Sequence, residues 1–126
     1  MPRSAYILVL EDDSAIGAMV ADILGEEGYT VHAVPDAASA RTALKVRFPA
    51  LLLCDLHLPG TSGLALANEA RAAGYDGPII LMTGDATAIS RLDLTAVTVW
   101  LRKPFELSEL LSCVATYIRP SSGDAS

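Results

Sequence analysis

Five short apolar runs, separated by segments of helical periodicity, constrain this chain more than any other feature. They are Tyr6–Leu10, Thr30–Val34, Leu51–Cys54, Pro78–Met82 and Val97–Leu101. The first, third and fourth are apolar at nearly every position. Strands buried on both faces read this way, and such burial arises in parallel sheets covered by helices. Between the runs, Ile16, Met19, Val20, Ile23 and Leu24 fall on one face of a helix that Ser14 can cap and Gly28 can end. Asp36 can cap a second helix running to Arg47 before Pro49, with a thin apolar side of Ala40, Ala43 and Leu44. A third, rich in Ala and Leu, runs from Gly63 to Ala73 and ends at Gly74. The segment from Asp85 to Asp93 is the weakest helical candidate. Leu107, Leu110, Leu111, Val114, Ala115 and Ile118 restore a strong stripe that Pro120 stops. The order is strand then helix, repeated. With right-handed crossovers it predicts an open five-stranded parallel sheet with helices on both faces, an α/β fold.

Composition narrows the function classes. A length of 126 residues gives one domain, and an apolar fraction of 52% excludes disorder. Fifteen acids against nine bases leave a net charge of −6, which argues against direct binding of nucleic acid or an anionic membrane. Two cysteines, Cys54 and Cys113, make neither a disulfide framework nor a zinc site, and both lie in apolar runs as packing thiols. His32 reads as a strand residue with a local hydrogen bond. No apolar run approaches a membrane span, and Met1-Pro-Arg-Ser does not read as a signal peptide, so a cytoplasmic location is expected.

In open α/β sheets, ligands bind beyond the carboxyl ends of the strands. Glu11, Asp12 and Asp13 follow the first strand, Asp55 the third, Thr83 the fourth and Lys103 the fifth. Asp13 also suits a helix N-cap. Two carboxylates about 5 Å apart at an effective dielectric near 20 repel by roughly 3 kcal/mol. Glu11, Asp12 and Asp55 are therefore costly together unless a cation joins them, and an all-oxygen set with room for water suits Mg²⁺. One carboxylate can then act as nucleophile toward a phosphoryl group, with Lys103 and Thr83 holding its oxygens.

This constellation resembles the receiver domain of two-component response regulators, including the single-domain chemotaxis type. The marks are Ile7-Leu-Val-Leu-Glu-Asp-Asp13, Leu53-Cys-Asp-Leu-His-Leu-Pro-Gly60, Ile80-Leu-Met-Thr-Gly84 and Leu101-Arg-Lys-Pro-Phe105. The resemblance covers residues 5–119, leaving 120–126 as a flexible C-terminal tail. It implies a flavodoxin-like sheet of order 2-1-3-4-5. It implies Asp55 as phosphoacceptor, Asp12 as direct Mg²⁺ ligand, Glu11 as a ligand acting through water, and the backbone carbonyl of His57 as a third protein ligand. Thr83 and Lys103 match the hydroxyl and lysine that bind the phosphoryl group. Pro59-Gly60 matches the turn after the acceptor strand, and Lys103-Pro104 a bond that is commonly cis.

Four departures stand out: Glu11 where Asp is usual, Gly84 after Thr83, a Thr83-to-Lys103 interval shorter than usual, and Trp100 where a switching Tyr or Phe is common. The last two fall on the signalling face and leave the phosphorylation site intact.

The implied partners are a sensor histidine kinase or phosphotransfer protein upstream and an effector protein downstream. A phosphorylation-dependent homodimer through the helix 4, strand 5, helix 5 face is a further expectation. No effector domain follows Pro120, so the chain is expected to be a stand-alone receiver or part of a longer protein. A receiver is a self-phosphorylating and self-dephosphorylating switch rather than an enzyme. Three rivals remain. A Mg²⁺-dependent aspartyl phosphatase places a second acid where His57 stands. A flavin protein needs a phosphate loop where Glu11-Asp12-Asp13 would repel phosphate. A non-switching interaction module would keep the fold without binding Mg²⁺.

Overall fold

The computed structural model describes residues 5–118. Five strands, β1 (Tyr6–Leu10), β2 (Thr30–Val34), β3 (Leu51–Asp55), β4 (Ile79–Thr83) and β5 (Val99–Arg102), form one parallel sheet in the order β2-β1-β3-β4-β5. β1, β3 and β4 are buried throughout, whereas the edge strands β2 and β5 are mostly exposed or half-buried. The apolar runs thus mark the interior strands, as burial on both faces requires.

Alternate side chains along each strand feed two cores. Leu8, Leu10, Leu52, Cys54 and Leu81 pack on one face with Ala40 and Ala43 of α2 (Ala37–Val46) and Leu66, Ala67 and Ala70 of α3 (Gly63–Ala72). Ile7, Val9, Leu53, Ile80 and Met82 pack on the other with Val20 and Leu24 of α1 (Ser14–Glu26) and Leu110 and Val114 of α5 (Leu107–Tyr117). Each fully buried Leu or Ile contributes about 1.5–3 kcal/mol relative to exposure.

The helix ends follow capping chemistry with one correction. Asp13, not Ser14, caps α1. Its Oδ1 accepts from the amides of Ala15 (3.0 Å) and Ile16 (3.2 Å), while its own backbone is extended and Ser14 is already helical. The buried line of α1 is Gly17, Val20 and Leu24, which leaves Met19 49% exposed outside the core. Asp36 caps α2 through the Ser39 amide (2.7 Å), and Glu106 and Glu109 form a capping box at α5. Gly28 (φ +98°) and Gly74 (φ +104°) take left-handed turns just beyond α1 and α3. α5 ends at Tyr117; the expected stop at Pro120 and the tail 120–126 lie outside the described residues.

The segment expected as a helix from Asp85 to Asp93 is one turn only, α4 (Ala86–Ile89), capped by Asp85 onto the Ala88 amide (3.0 Å). Asp93 draws the Thr95 amide (3.0 Å) into a local turn, offering the backbone an alternative to continued helix. Arg71 of α3 then holds this loop from beneath, donating to the Ala96 carbonyl (3.0 Å) and to the carbonyls of Tyr75 (3.0 Å) and Gly77 (2.7 Å). After β3 the chain also makes a small antiparallel ladder of His57–Leu58 with Thr61–Ser62, turned at Gly60 (φ +75°). His32 lies exposed on edge strand β2 with its ring 6.5 Å from that of Tyr6.

Candidate phosphoryl and metal site

The carboxyl ends of the strands bring together the residues that the sequence placed there. Asp55 is the last residue of β3 and Thr83 the last of β4, while Glu11 and Lys103 come directly after β1 and β5. Carboxylate oxygens of Glu11, Asp12 and Asp55 lie within 4.8 Å of one another. Glu11 and Asp55 are buried, at 3% and 7% exposure, while Asp12 opens to solvent. Lys103 reaches across the group, its Nζ donating to Glu11 Oε1 at 2.8 Å and Asp55 Oδ2 at 3.1 Å.

Burial pushes the Glu11 carboxyl above its ordinary range and the nearby Asp55 charge adds to this, opposed by the hydrogen bonds from Lys103 and from the Asp13 amide. Burial also works to lower Lys103, but its bonds to Glu11 and Asp55 outweigh that and hold the ammonium above its usual value. Thr83 is fully buried and its Oγ1 accepts from the Asp85 amide at 2.9 Å, which leaves its proton for another acceptor.

The backbone around Asp55 is locked. The Leu56 amide donates to the Met82 carbonyl (2.8 Å), and the Gly63 amide donates to the Leu56 carbonyl (2.9 Å). A β-carbon at Gly63 would stand 2.1 Å from the Asp55 carbonyl oxygen, so only glycine fits where α3 meets the end of β3. Sequence reasoning missed this residue. Its only signal was a glycine at the start of a helical pattern, where glycine is otherwise unhelpful.

The remaining expected residues occupy other places. The His57 side chain is exposed in the short ladder. Trp100 is half-buried in β5 beside Leu81 in register, and packs against the core on the α2 and α3 side rather than joining the carboxylates. The Lys103–Pro104 peptide bond is cis. Gly84 lies against the Lys103 backbone, where a β-carbon would meet the carbonyl oxygen at 3.7 Å. Cys54 is fully buried and its thiol is pushed up to about 12 by burial; Cys113 is half-buried.

Three carboxylates facing one ammonium leave surplus negative charge in a site built only of oxygen donors. A divalent cation that prefers oxygen fits that donor set. A carboxylate cluster that fits such a cation, with a lysine and a buried hydroxyl at the ends of a 2-1-3-4-5 sheet, is the arrangement that phosphoryl-accepting α/β switches require.

The comparisons with known proteins fix the family within that class. The model of the response regulator receiver domain matches residues 7–115, and the chain belongs to that family. The two-component response regulator PhoP of Pseudomonas aeruginosa is 34% identical over 119 residues, covering 93% of this chain and 53% of that protein. The transcriptional regulatory protein DltR of Streptococcus agalactiae is 33% identical over 119 residues, covering 92% and 53%. The chain thus spans about half the length of the curated relatives it matches. Among solved structures, response regulator TrrA of Thermotoga maritima in complex with Mg(2+)-BeF superposes with a TM-score of 0.84 at 30% identity, covering 90% of this chain and 99% of that one. Chemotaxis protein CheY4 of Vibrio cholerae gives a TM-score of 0.84 at 23% identity over 92% of this chain and all of that one, a likeness of fold.

The chain is therefore a receiver domain of two-component response regulators, a phosphorylation-based signalling switch. Its acidic pocket of Glu11, Asp12 and Asp55 fits Mg²⁺ and a phosphoacceptor aspartate. Among the described residues, no helix is long and apolar enough to cross a membrane.

Proposed function

We propose that Asp55 is the phosphoacceptor and takes its phosphoryl group from a phosphohistidine of a sensor kinase or phosphotransfer protein. Mg²⁺ would be held by Glu11, Asp12, Asp55 and the backbone carbonyl of His57. One observation carries this reading: three carboxylates within 4.8 Å that, among the described residues, only Lys103 offsets. The similar TrrA structure, described as a complex with Mg(2+)-BeF, supports it.

An Asp55 oxygen attacks phosphorus as the donor's phosphorus–nitrogen bond breaks, and the products are an acyl phosphate and a free imidazole. A bound Mg²⁺ supplies positive charge to the phosphoryl oxygens. Lys103 exchanges Asp55 Oδ2 for a phosphoryl oxygen, while Glu11 keeps its ammonium in place. Thr83 donates a hydrogen bond from its hydroxyl to another phosphoryl oxygen. Water later hydrolyses the acyl phosphate in the same site, so the domain resets itself.

Thr83 and Trp100 would carry the change to the face of α4, β5 and α5, where an effector or a second phosphorylated copy docks. Residues 5–119 form the receiver unit in this reading, and it acts in the cytoplasm with its phosphodonor. The test is label uptake from a small phosphodonor in Mg²⁺. Wild type should incorporate label and Asp55→Asn should not; label on the variant would overturn the assignment. Sustained rapid turnover of simple phosphate esters would instead indicate a phosphatase.

A further inference from the structure

The segment that joins β4 to β5 is bonded to the rest of the molecule at its two ends and not between them. None of residues 84–95 is buried, and Ala96, at 6% exposure, is the first that is. Among the described residues, the hydrogen bonds of residues 86–95 all close within 85–97. The middle is seated only by the half-buried side chains of Ala88, Ile89 and Leu94 against the core on the α2 and α3 side.

At the start, the Asp85 amide donates to Thr83 Oγ1 (2.9 Å), and this buried hydroxyl is the one assigned above to a phosphoryl oxygen. The far end is clamped at the opposite edge of the sheet. The Thr98 amide donates to the Ile79 carbonyl (2.8 Å), and the Ile79 amide donates to Thr98 Oγ1 (2.9 Å). Arg71 Nε donates to the Ala96 carbonyl (3.0 Å), while Nη1 donates to the carbonyls of Tyr75 (3.0 Å) and Gly77 (2.7 Å). The guanidinium lies 5.5 Å from the centre of the Tyr75 ring, whose hydroxyl donates to the Pro78 carbonyl (3.0 Å). A β-carbon at Gly77 would stand 2.5 Å from that hydroxyl oxygen, so the platform around Arg71 has little room to shift. A planar fork of fixed donors thus ties Ala96 to the end of α3 and the approach to β4.

We propose that residues 84–96 are a strap, latched at Asp85 by the Thr83 hydroxyl and fixed at Ala96 by Arg71, which makes Arg71 a positioning residue for the switch; this rests on the reading of Asp55 and Thr83 above. When the Thr83 hydroxyl turns to a phosphoryl oxygen, the Asp85 amide loses its acceptor and the start of the strap is freed. With Ala96 held, the strap moves as one piece and carries Ile89 and Leu94 across the core that also seats Trp100. A single helical turn does not hold itself together. Without Arg71 the strap therefore frays whether or not the site is filled, and filling it changes little. The latch is then already partly open in the empty site, so less of the binding free energy goes into opening it.

The test uses the full chain with Mg²⁺ and beryllofluoride as the phosphoryl mimic. It is read by amide hydrogen exchange and by the fluorescence of Trp100, the only tryptophan. In wild type the mimic should expose the Asp85 amide to exchange and change the Trp100 signal, while the Thr98 and Ile79 amides keep their protection. Arg71→Met should lose most of the Trp100 response and bind the mimic about fivefold more tightly. Arg71→Lys, which keeps the charge but not the fork that spans three carbonyls, should fall between. A residue that only stabilised the fold would leave response and affinity as in wild type at temperatures where the variant is folded. Three results would overturn the proposal: an Asp85 amide still protected with the mimic bound, a Thr98 amide that loses protection along with it, or Arg71 variants that match wild type in response and affinity. If Arg71→Met does not fold, Arg71→Lys and the wild-type exchange pattern decide. A wild-type chain that binds no beryllofluoride would remove the phosphoryl reading itself, and the strap with it; one that binds it without opening the latch removes the strap alone.

Discussion

Lys103→Met removes the cation while keeping the length of the side chain, and the structure sets what should follow. Glu11 and Asp55 would remain buried with oxygens inside the 4.8 Å cluster and no ammonium between them. Their repulsion at an effective dielectric near 20 is about 3 kcal/mol, in line with the roughly 3–5 kcal/mol lost when one member of a buried pair is removed. Lys103 keeps 22% exposure, so solvent screens part of this. The expected loss at pH 7 is therefore about 2–3 kcal/mol, a fall in Tm on the order of 10 °C for a domain of this size.

The sign with pH is also fixed. Glu11 has a raised pKa, so its contribution to stability is full below its unfolded value and fades as pH rises through its folded value. Without Lys103 that rise is larger, so the gap between variant and wild type should close on acidification as Glu11 takes a proton. At the alkaline end, Lys103 itself is raised, and wild type should lose the lysine's contribution as pH climbs through its folded value, above the ordinary 10.5. The variant has no such limb, so the two curves should converge there as well. Mg²⁺ should rescue the variant by more than it stabilises wild type, because no ammonium competes for the carboxylates. Thermal melts at several pH values, with and without Mg²⁺, read all three effects. A variant as stable as wild type at pH 7, or a gap that widens in acid, would refute the electrostatic account.

Other perturbations are equally specific. Gly63→Ala forces a β-carbon onto the Asp55 carbonyl and should cost about 3 kcal/mol or more; chemical denaturation measures it, and a loss below 1 kcal/mol would show that the α3 start can shift away. Arg71→Met should cost about 1.5–3 kcal/mol by orphaning three carbonyls, and hydrogen exchange should speed up first in residues 90–98. In the folded protein Cys113 should react with a thiol reagent well before Cys54, whose thiol is buried and pushed up to about 12; after unfolding the two should react alike.

How much of this was legible depended on whether a residue's role is local or relational. Tyr6–Leu10 was bounded correctly because strand burial writes itself into a short window, and the mostly exposed Thr30–Val34 because its β-branched residues lie between the breakers Gly28 and Pro35. Glu11, Asp55, Thr83 and Lys103 were legible as a group because a parallel sheet forces the residues after its strands onto one edge. The cap of α1 was left between Ser14 and Asp13, since both are good caps and only the backbone tells which one precedes the helix. The ladder at His57–Leu58 was invisible, being two residues long and held by the turn at Gly60. Gly63 escaped because its necessity comes from the Asp55 carbonyl eight residues earlier, and a single chain pattern carries no trace of that approach.

The shortened fourth helix shows the same distinction in reverse. Weak periodicity from Asp85 to Asp93 did predict weak helix, but not what takes its place. Residues past Ile89 are held by bonds from other elements: Arg71 to the Ala96 carbonyl, the Thr98 amide to the Ile79 carbonyl (2.8 Å), and the Ile79 amide to Thr98 Oγ1 (2.9 Å). Ile89, Leu94, Val97 and Trp100 still pack onto the α2 and α3 core. The loop therefore covers the sheet by tertiary tethering where a longer helix would do so through its own ladder. Helices of a single turn gain little from nucleation, so the order of this face rests on Arg71 and Thr98, and it is there that a change in its shape must be resisted or released.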